Sequence, residues 1–400
     1  MVASFGDSAA VTSRVWKSLC LLWLVGLSMR ITLLAVPPVI PLIHDDLGMT
    51  EAQVGLLMGL PLMVFALAAV PGSLLVARFG TTVTLTLGML IAGVAAAGRG
   101  GAESVAMLYS ATVIMGFGIA IMQPALPTLV REWLPDRVAL GSTASTNGMV
   151  VSTTLGPAFT VPLVLPLVGN SWRLDLVVWA APLFVTALLI FMVRQQSQPA
   201  SPRGTIVVRR WWPDWTSPLP WLLGLAFGSN NSIYFTANAF LPDYLAHHGR
   251  GDLVAAALTS LNGSQLLASF LMLAAPALMI GRTWPYLVFG PLTIAALIGV
   301  ISFDGYWVVV AAGVVGFAIA VTFVMMLAAP PALSPPGEVH LTAAAMFTIS
   351  YTLGVLIPII SGSLWDLTGV PWMAFVPLCI CAVTMTAFGV ALSRYRSRRA

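Results

Sequence analysis

Charge is what this chain has least of. Only 8% of its 400 residues are charged, whereas 58% are hydrophobic and the mean hydropathy is +0.94. A soluble globular chain carries about 25% charged residues. So little charge cannot cover a water-facing surface, which excludes a soluble enzyme of one or two domains. Cysteine is almost as scarce: Cys20, Cys379 and Cys381 all lie inside apolar runs. An odd count without polar partners gives neither a disulfide framework nor a zinc pattern, and no metal or cofactor is expected. A P-loop for nucleotide phosphates is missing, which argues against an ATP-driven pump. Paired carboxylates and nucleophile constellations are missing as well, so there are no catalytic candidates and the chain reads as no enzyme. The tail from Met1 to about Val15 leads into an apolar run with no convincing small-residue cleavage site. That run is therefore read as a retained span rather than a signal peptide.

What is present is length of apolar sequence. A helical span needs about 20 apolar residues, a bilayer-spanning strand about 10 alternating ones, and the runs here are long and unbroken. They predict an all-α membrane protein with twelve spans near 17–43, 51–77, 83–99, 104–130, 138–167, 172–193, 219–246, 253–280, 283–303, 306–331, 339–365 and 371–393. Basic residues in short loops mark the cytoplasmic side. With the N-terminus inside, fourteen of the 18 basic residues fall on cytoplasmic segments, and Arg99, Arg173 and Arg250 fall on outer loops. The remaining one, Arg30, lies within a span. The net charge of +4 then reflects topology in a bacterial-type inner membrane, with both termini cytoplasmic. A nucleic-acid partner is not expected, and the lipid bilayer is.

The connection at the midpoint divides the chain into a bundle over 1–194, a cytoplasmic linker over 195–218 and a second bundle over 219–400. In the linker, Arg209-Arg210-Trp211-Trp212 has the basic and aromatic character of an interfacial anchor. The halves also resemble each other. Gly116-Phe117-Gly118-Ile119-Ala120 in span 4 recurs as Gly316-Phe317-Ala318-Ile319-Ala320 in span 10. Ser152-Thr153-Thr154-Leu155-Gly156 in span 5 recurs as Ser350-Tyr351-Thr352-Leu353-Gly354 in span 11. Two matches at corresponding spans and nearly equal offset point to a duplicated six-helix unit, the plan of a parallel-repeat secondary transporter.

On these features the chain resembles the major facilitator superfamily over nearly its whole length. The resemblance implies two six-helix bundles, a central cavity and alternating access by rocking. Its loop motifs are eroded. Arg78-Phe79-Gly80 resembles the Asp-Arg-x-Gly-Arg-Arg loop, with Ala77 for the acid and Thr81 and Thr82 for the basic pair. Thr112 stands where span 4 usually carries an Arg, and no Gly pair follows Gly156-Pro157. The last two departures count against a drug/proton antiporter.

Arg30 is the ionisable residue out of place. A mid-membrane Arg costs roughly 2.5–3.5 kcal/mol on insertion scales, so it faces the bundle interior, a partner or water. In a cavity its planar fork suits an anionic oxygen; the competing reading is a helix clamp on carbonyls or polar side chains. Leu27-Ser28-Met29-Arg30 followed by Pro38 and Pro41 is similar to the Leu-Asn-Met-Arg-Pro start of the cyanate/2-nitroimidazole porter branch, with Ser28 for Asn and Ile31 for Pro. The run Gly116 to Gln123 with Pro127, Asn231, Tyr234, Leu241-Pro242 and Gln265 fit the same branch.

In this fold, spans 1, 4, 7 and 10 line the cavity with help from 2, 5, 8 and 11. Substrate-binding candidates are therefore Arg30, Gln123, Asn147, Asn231, Tyr234, Asn238, Gln265 and Tyr351, with Asn262 nearby. Asn231, Tyr234 and Asn238 are 3 and 4 apart and share a helix face. Each amide also has a reading as interhelical glue, worth about 0.6 kcal/mol. Ser142 to Gly148 in span 5 reads as a close-packing surface, and His44-Asp45-Asp46 and His247-His248 as solvated span ends. Asp243 is the coupling candidate. Alternatively no protein group carries a proton, and a weak-acid substrate or an exchanged anion does the coupling.

The leading expectation is a monomeric secondary carrier for a small anionic or polar solute bearing a carboxylate, cyanate or nitro group. The alternative is efflux of drug-like amphipathic compounds, in which Arg30 is incidental. On the leading reading, Arg30→Ala and Arg30→Lys each abolish transport while expression stays normal. Uptake assays on membranes matched for protein level check this, and normal transport by Arg30→Ala sinks it.

Overall fold

Uninterrupted apolar sequence leaves the backbone one way to satisfy itself without water, which is to close every hydrogen bond within its own segment. The computed structural model, described for residues 3–49, 51–196, 212–335 and 337–397, is accordingly helical, with no strand among the described residues. The spans of the first half are span 1 (Ala3–Leu34), span 2 (Glu51–Phe79), span 3 (Thr81–Gly98), span 4 (Val105–Trp133), span 5 (Val138–Phe159) and span 6 (Trp172–Gln196). Those of the second half are span 7 (Pro218–His247), span 8 (Val254–Ala274), span 9 (Trp284–Ser302), span 10 (Tyr306–Leu327), span 11 (Val339–Thr368) and span 12 (Val376–Ser397). Among the described residues, ten helices are long and apolar enough to cross a membrane, and the bent fifth makes eleven. Span 7 is as long as span 11 but carries Ser229, Asn230, Asn231, Ser232 and Asn238, which lower its hydropathy.

Contacts divide the chain into one unit of Met1–Pro213 with Ser334–Ala344 and another of Asp214–Leu333 with Ala345–Ala400. Within the first unit, span 2 packs on span 4, span 3 on spans 4 and 6, and span 1 on span 6. Within the second, span 8 packs on span 10, span 9 on spans 10 and 12, and span 7 on span 12. The same pairing order in each unit is the structural form of the internal repeat. Of the aromatic-basic cluster in the linker, only Trp212 falls within the described residues, and it is exposed.

Span 1 begins earlier than its hydropathy suggests and stops at Leu34, short of the expected 43. Pro37 and Pro38 have no N–H to give the carbonyls of Leu33 and Leu34. The chain there tightens into a 3₁₀ turn, Pro37–Val39, and then forms the short helix Ile40–Leu47. Span 5 also breaks: a π-helical turn, Thr160–Val164, follows Phe159, and the two helical pieces meet at 53°.

The Ser142–Gly148 run does pack closely. All seven residues are buried, and the helix lies directly against span 1. A Cβ on Gly26 would overlap the carbonyl of Ser145, and one on Gly148 the carbonyl of Trp23. Gly316 does the same for spans 8 and 10, where a Cβ would meet the carbonyl of Leu261. Its repeat counterpart Gly116 has ordinary van der Waals room beside Val64, and in that unit Gly118 of the same motif makes the close approach instead, to the backbone of Gly88 and Ala92.

Gly148→Leu should therefore separate spans 1 and 5 and destabilise by about 2 kcal/mol or more, as backbone cannot yield to an inserted side chain. Gly59→Ala, with open space around its Cβ, should leave stability unchanged or slightly raised. Thermal unfolding of the two variants in detergent distinguishes them.

Candidate functional site

A polar stripe on a membrane helix must find partners among its neighbours, and span 7 finds them on spans 8, 10 and 11. Asn231, buried, donates through Nδ2 to Ser350 Oγ at 2.8 Å. Asn230 accepts through Oδ1 from Thr322 Oγ1 at 2.7 Å. One face over, Tyr234 donates its hydroxyl to Asn262 Oδ1 at 3.1 Å, and Asn262 Nδ2 donates to Asn238 Oδ1 at 2.9 Å. Asn238 Nδ2 in turn bonds the carbonyl of Tyr234 at 2.9 Å. Gln265 adds a longer bond from Nε2 to Asn262 Oδ1, 3.3 Å. Asn262 is thus the hub of a chain that brings Tyr234, Asn238 and Gln265 together on half-buried surface. Tyr351 is buried with its ring stacked on Phe347, the centroids 6.0 Å apart and the planes 12° from parallel.

Asp243 lies away from that chain. It is exposed and lines a cavity of about 500 Å³ with Phe240, His247, Gly362, Trp365 and Asp366. Of the adjacent histidines, His248 contacts the Tyr244 carbonyl through Nδ1 at 2.8 Å, and His247 faces Trp365 with ring centroids 6.2 Å apart. Among the described residues no cluster of three or more His, Cys, Asp or Glu could hold a metal ion.

The first unit holds the other candidates. Arg30 is half-buried on span 1 and engaged by a neighbouring group. Ser28, one turn or less away, is spent on span 6, bonding Thr186 Oγ1 at 2.9 Å. Asn147 on span 5 accepts from Trp23 Nε1 at 2.8 Å, tying spans 1 and 5. Gln123 on span 4 is buried, and among the described residues its Oε1 has no hydrogen-bond partner. The eroded loop after span 2 makes new use of its substituted position: buried Thr81 donates to Glu132 Oε1 of span 4 at 2.7 Å.

Two residues that sequence placed at the outer margin are in fact buried. Arg99, read as an outer-loop residue, is 1% exposed in the 3₁₀ turn Arg99–Gly101 and donates from Nη2 to the Thr32 carbonyl at 2.7 Å. That carbonyl lies in the last turn of span 1, where a cation meets the negative end of the helix dipole. Asp175, which the same topology puts on the outer side at the start of the sixth span, is fully buried in the first turn of span 6. Proximity to a span end was the only signal available, and it suggested solvent. Arg173 and Arg250 do behave as margin residues, pairing with Asp46 at 2.7 Å and with Asp304.

The family model described as Major Facilitator Superfamily matches residues 21–358. The chain is 31% identical over 260 residues to the 2-nitroimidazole transporter of Escherichia coli (strain K12), covering 64% of this chain and 63% of that one. The match thus spans a little under two thirds of that relative's length. It is 27% identical over 390 residues to the cyanate transport protein CynX of the same organism, covering 94% of this chain and 98% of CynX. In fold it is similar to the crystal structure of the transporter FucP in the outward conformation, with a TM-score of 0.75 at 12% identity over 94% of this chain and 98% of that one.

Asn262→Leu should strand the hydroxyl of Tyr234 and the amide oxygen of Asn238 and destabilise by about 1–2 kcal/mol. Thr384→Val, which removes only a bond to its own helix at Ile380, should cost a few tenths at most. Thermal unfolding measures both.

Proposed function

The chain belongs to the major facilitator superfamily, and from that premise we propose that it carries a small anionic or polar solute, with a carboxylate, cyanate or nitro group, held at Arg30. The chain is a multi-pass membrane transporter; the solute and the role of Arg30 are the reading. The observation that carries it is Arg30 itself, a guanidinium four residues before the end of span 1 at Leu34, which stays half-open rather than sealed into the core. Its planar fork offers two parallel N–H donors, and a carboxylate or nitro group offers two oxygens at matching separation. A nitro group and a small anion could therefore share one site. The names of the relatives lend support, since one is a 2-nitroimidazole transporter and another a cyanate transport protein.

On this reading, Gln123 and Asn147 join Arg30 from the first half. Asn231, Tyr234, Asn238, Gln265 and Tyr351 line the solute from the second. The half-buried chain centred on Asn262 would hold Tyr234, Asn238 and Gln265 in place before the solute arrives, which lowers the cost of binding. Alternating access would be worked by the two bundles, 1–194 and 219–400, joined by 195–218. The excess of basic residues in alternate loops supports an inner-membrane topology with both termini in the cytoplasm.

A thermal-shift screen of cyanate, small carboxylates and nitro compounds on purified wild type and Arg30→Ala tests this. A ligand at a hundred times its dissociation constant stabilises the wild type by about 2.7 kcal/mol, and the shift should vanish in Arg30→Ala. A ligand that stabilises both equally, or a response confined to bulky apolar compounds, overturns the assignment.

A further inference from the structure

Asp175 is a carboxyl group with nowhere to put a charge. It is 0% exposed, and among the described residues neither Oδ1 nor Oδ2 accepts a hydrogen bond of good geometry. The elements packed against span 6 are span 1, span 3, the turn Arg99–Gly101 and the π-helical turn of span 5. Their charged groups are Asp7, Arg14, Lys17 and Arg30 on span 1, the first three in the half of that helix away from Leu34, and Arg99 on the turn; span 3 and the π-helical turn carry none. On its own helix, Arg173 is committed to Asp46 and to the carbonyl of Ala102. None of these bases forms an ion pair with Asp175. An unpaired buried carboxylate is strongly disfavoured, whereas the neutral acid is tolerated. An ionisable group sealed within a membrane bundle is by default a candidate for function. Asp243, by contrast, stands open in its cavity.

The polar group facing Asp175 is the indole of Trp179, one turn along span 6. An indole has a single N–H to donate, and Trp179 gives it to Thr160 Oγ1 at 2.8 Å. Thr160, also fully buried, is the first residue of the π-helical turn at which span 5 bends by 53°. Such turns recur at functional sites. One donor therefore stands between two acceptors, the hydroxyl that pins the bend and a carboxyl that competes for it only when ionised.

We propose that Asp175 is a proton-binding site of the transport cycle, and that its proton sets the bend of span 5 through Trp179. With the acid O–H intact, the Trp179 N–H stays on Thr160 and the bend is held. When that O–H breaks and the proton passes to water, the carboxylate takes the Trp179 N–H and Thr160 is released. No other bond forms or breaks.

Infrared difference spectroscopy on reconstituted protein tests the site without any solute. A carboxylic-acid carbonyl band that titrates in the wild type should be missing from Asp175→Asn and retained in Trp179→Phe. Coupling is then read in proteoliposomes with 2-nitroimidazole as the probe, corrected for protein-free vesicles; this arm alone rests on the proposed solute class. A pH gradient of one unit holds a factor of about ten in concentration for one proton per solute. The wild type should approach that accumulation, whereas Asp175→Asn and Trp179→Phe should fall to a ratio of about one. Asp175→Glu should recover part of it. Absence of an Asp175-dependent acid band, or accumulation by Asp175→Asn equal to wild type, overturns the proposal. Failure of the wild type to move 2-nitroimidazole counts against the solute reading only, and the infrared band then decides.

Discussion

Every polar group in this protein that lies at membrane depth must be answered by another part of the same chain. Lipid supplies no hydrogen bonds, and an unanswered group costs several kcal/mol. That single constraint selects helices for the backbone and then dictates the side-chain chemistry between them. Where spans carry small residues, backbones close to contact, as Gly26 and Gly148 allow for spans 1 and 5. Where they carry amides and hydroxyls, the polar groups pair, as Asn231 does with Ser350 and Tyr234 with Asn262. The two solutions alternate along the same helices, and the polar one leaves residues on half-buried surface where a solute can compete for them.

The architecture was legible in the sequence because its signals are large. Runs of about 20 apolar residues have no other stable fate, and the duplicated motifs announced a repeat that reappears as the same pairing order of spans in each unit. The 3-and-4 spacing of Asn231, Tyr234 and Asn238 correctly put them on one face, since helical periodicity is a local property. What spacing could not supply was the far end of each bond. Asn262 becomes the hub only because span 8 delivers it opposite that face, a fact of packing rather than of period. The end of span 1 was also misjudged, as hydropathy ran smoothly through Pro37 and Pro38 while the backbone could not.

Arg99 and Asp175 show a different limit. Charges near span ends usually reach water, and that prior assigned both to the outer margin. Both are sealed because neighbouring elements cover the span ends: the turn Arg99–Gly101 packs against span 6, and a glycine at position 100 permits the approach. The result is an asymmetry within one unit. The buried guanidinium has a carbonyl to serve, at Thr32, whereas among the described residues the buried carboxyl accepts no hydrogen bond of good geometry. A structural role accounts for the first and leaves the second unexplained, which is why the acid and not the base drew attention as a site of exchange.

The bond from Arg99 to Thr32 joins positions 67 residues apart. Span 1 is made before spans 2 and 3, and its end has lost the donors for Leu33 and Leu34 to Pro37 and Pro38. The residue that serves the neighbouring Thr32 carbonyl is synthesised only after the whole of spans 2 and 3. That bond therefore forms late, and it fastens the end of span 1 to the turn that follows span 3. Biogenesis of the first bundle thus has an order written into it, with an earlier span fastened by a later turn.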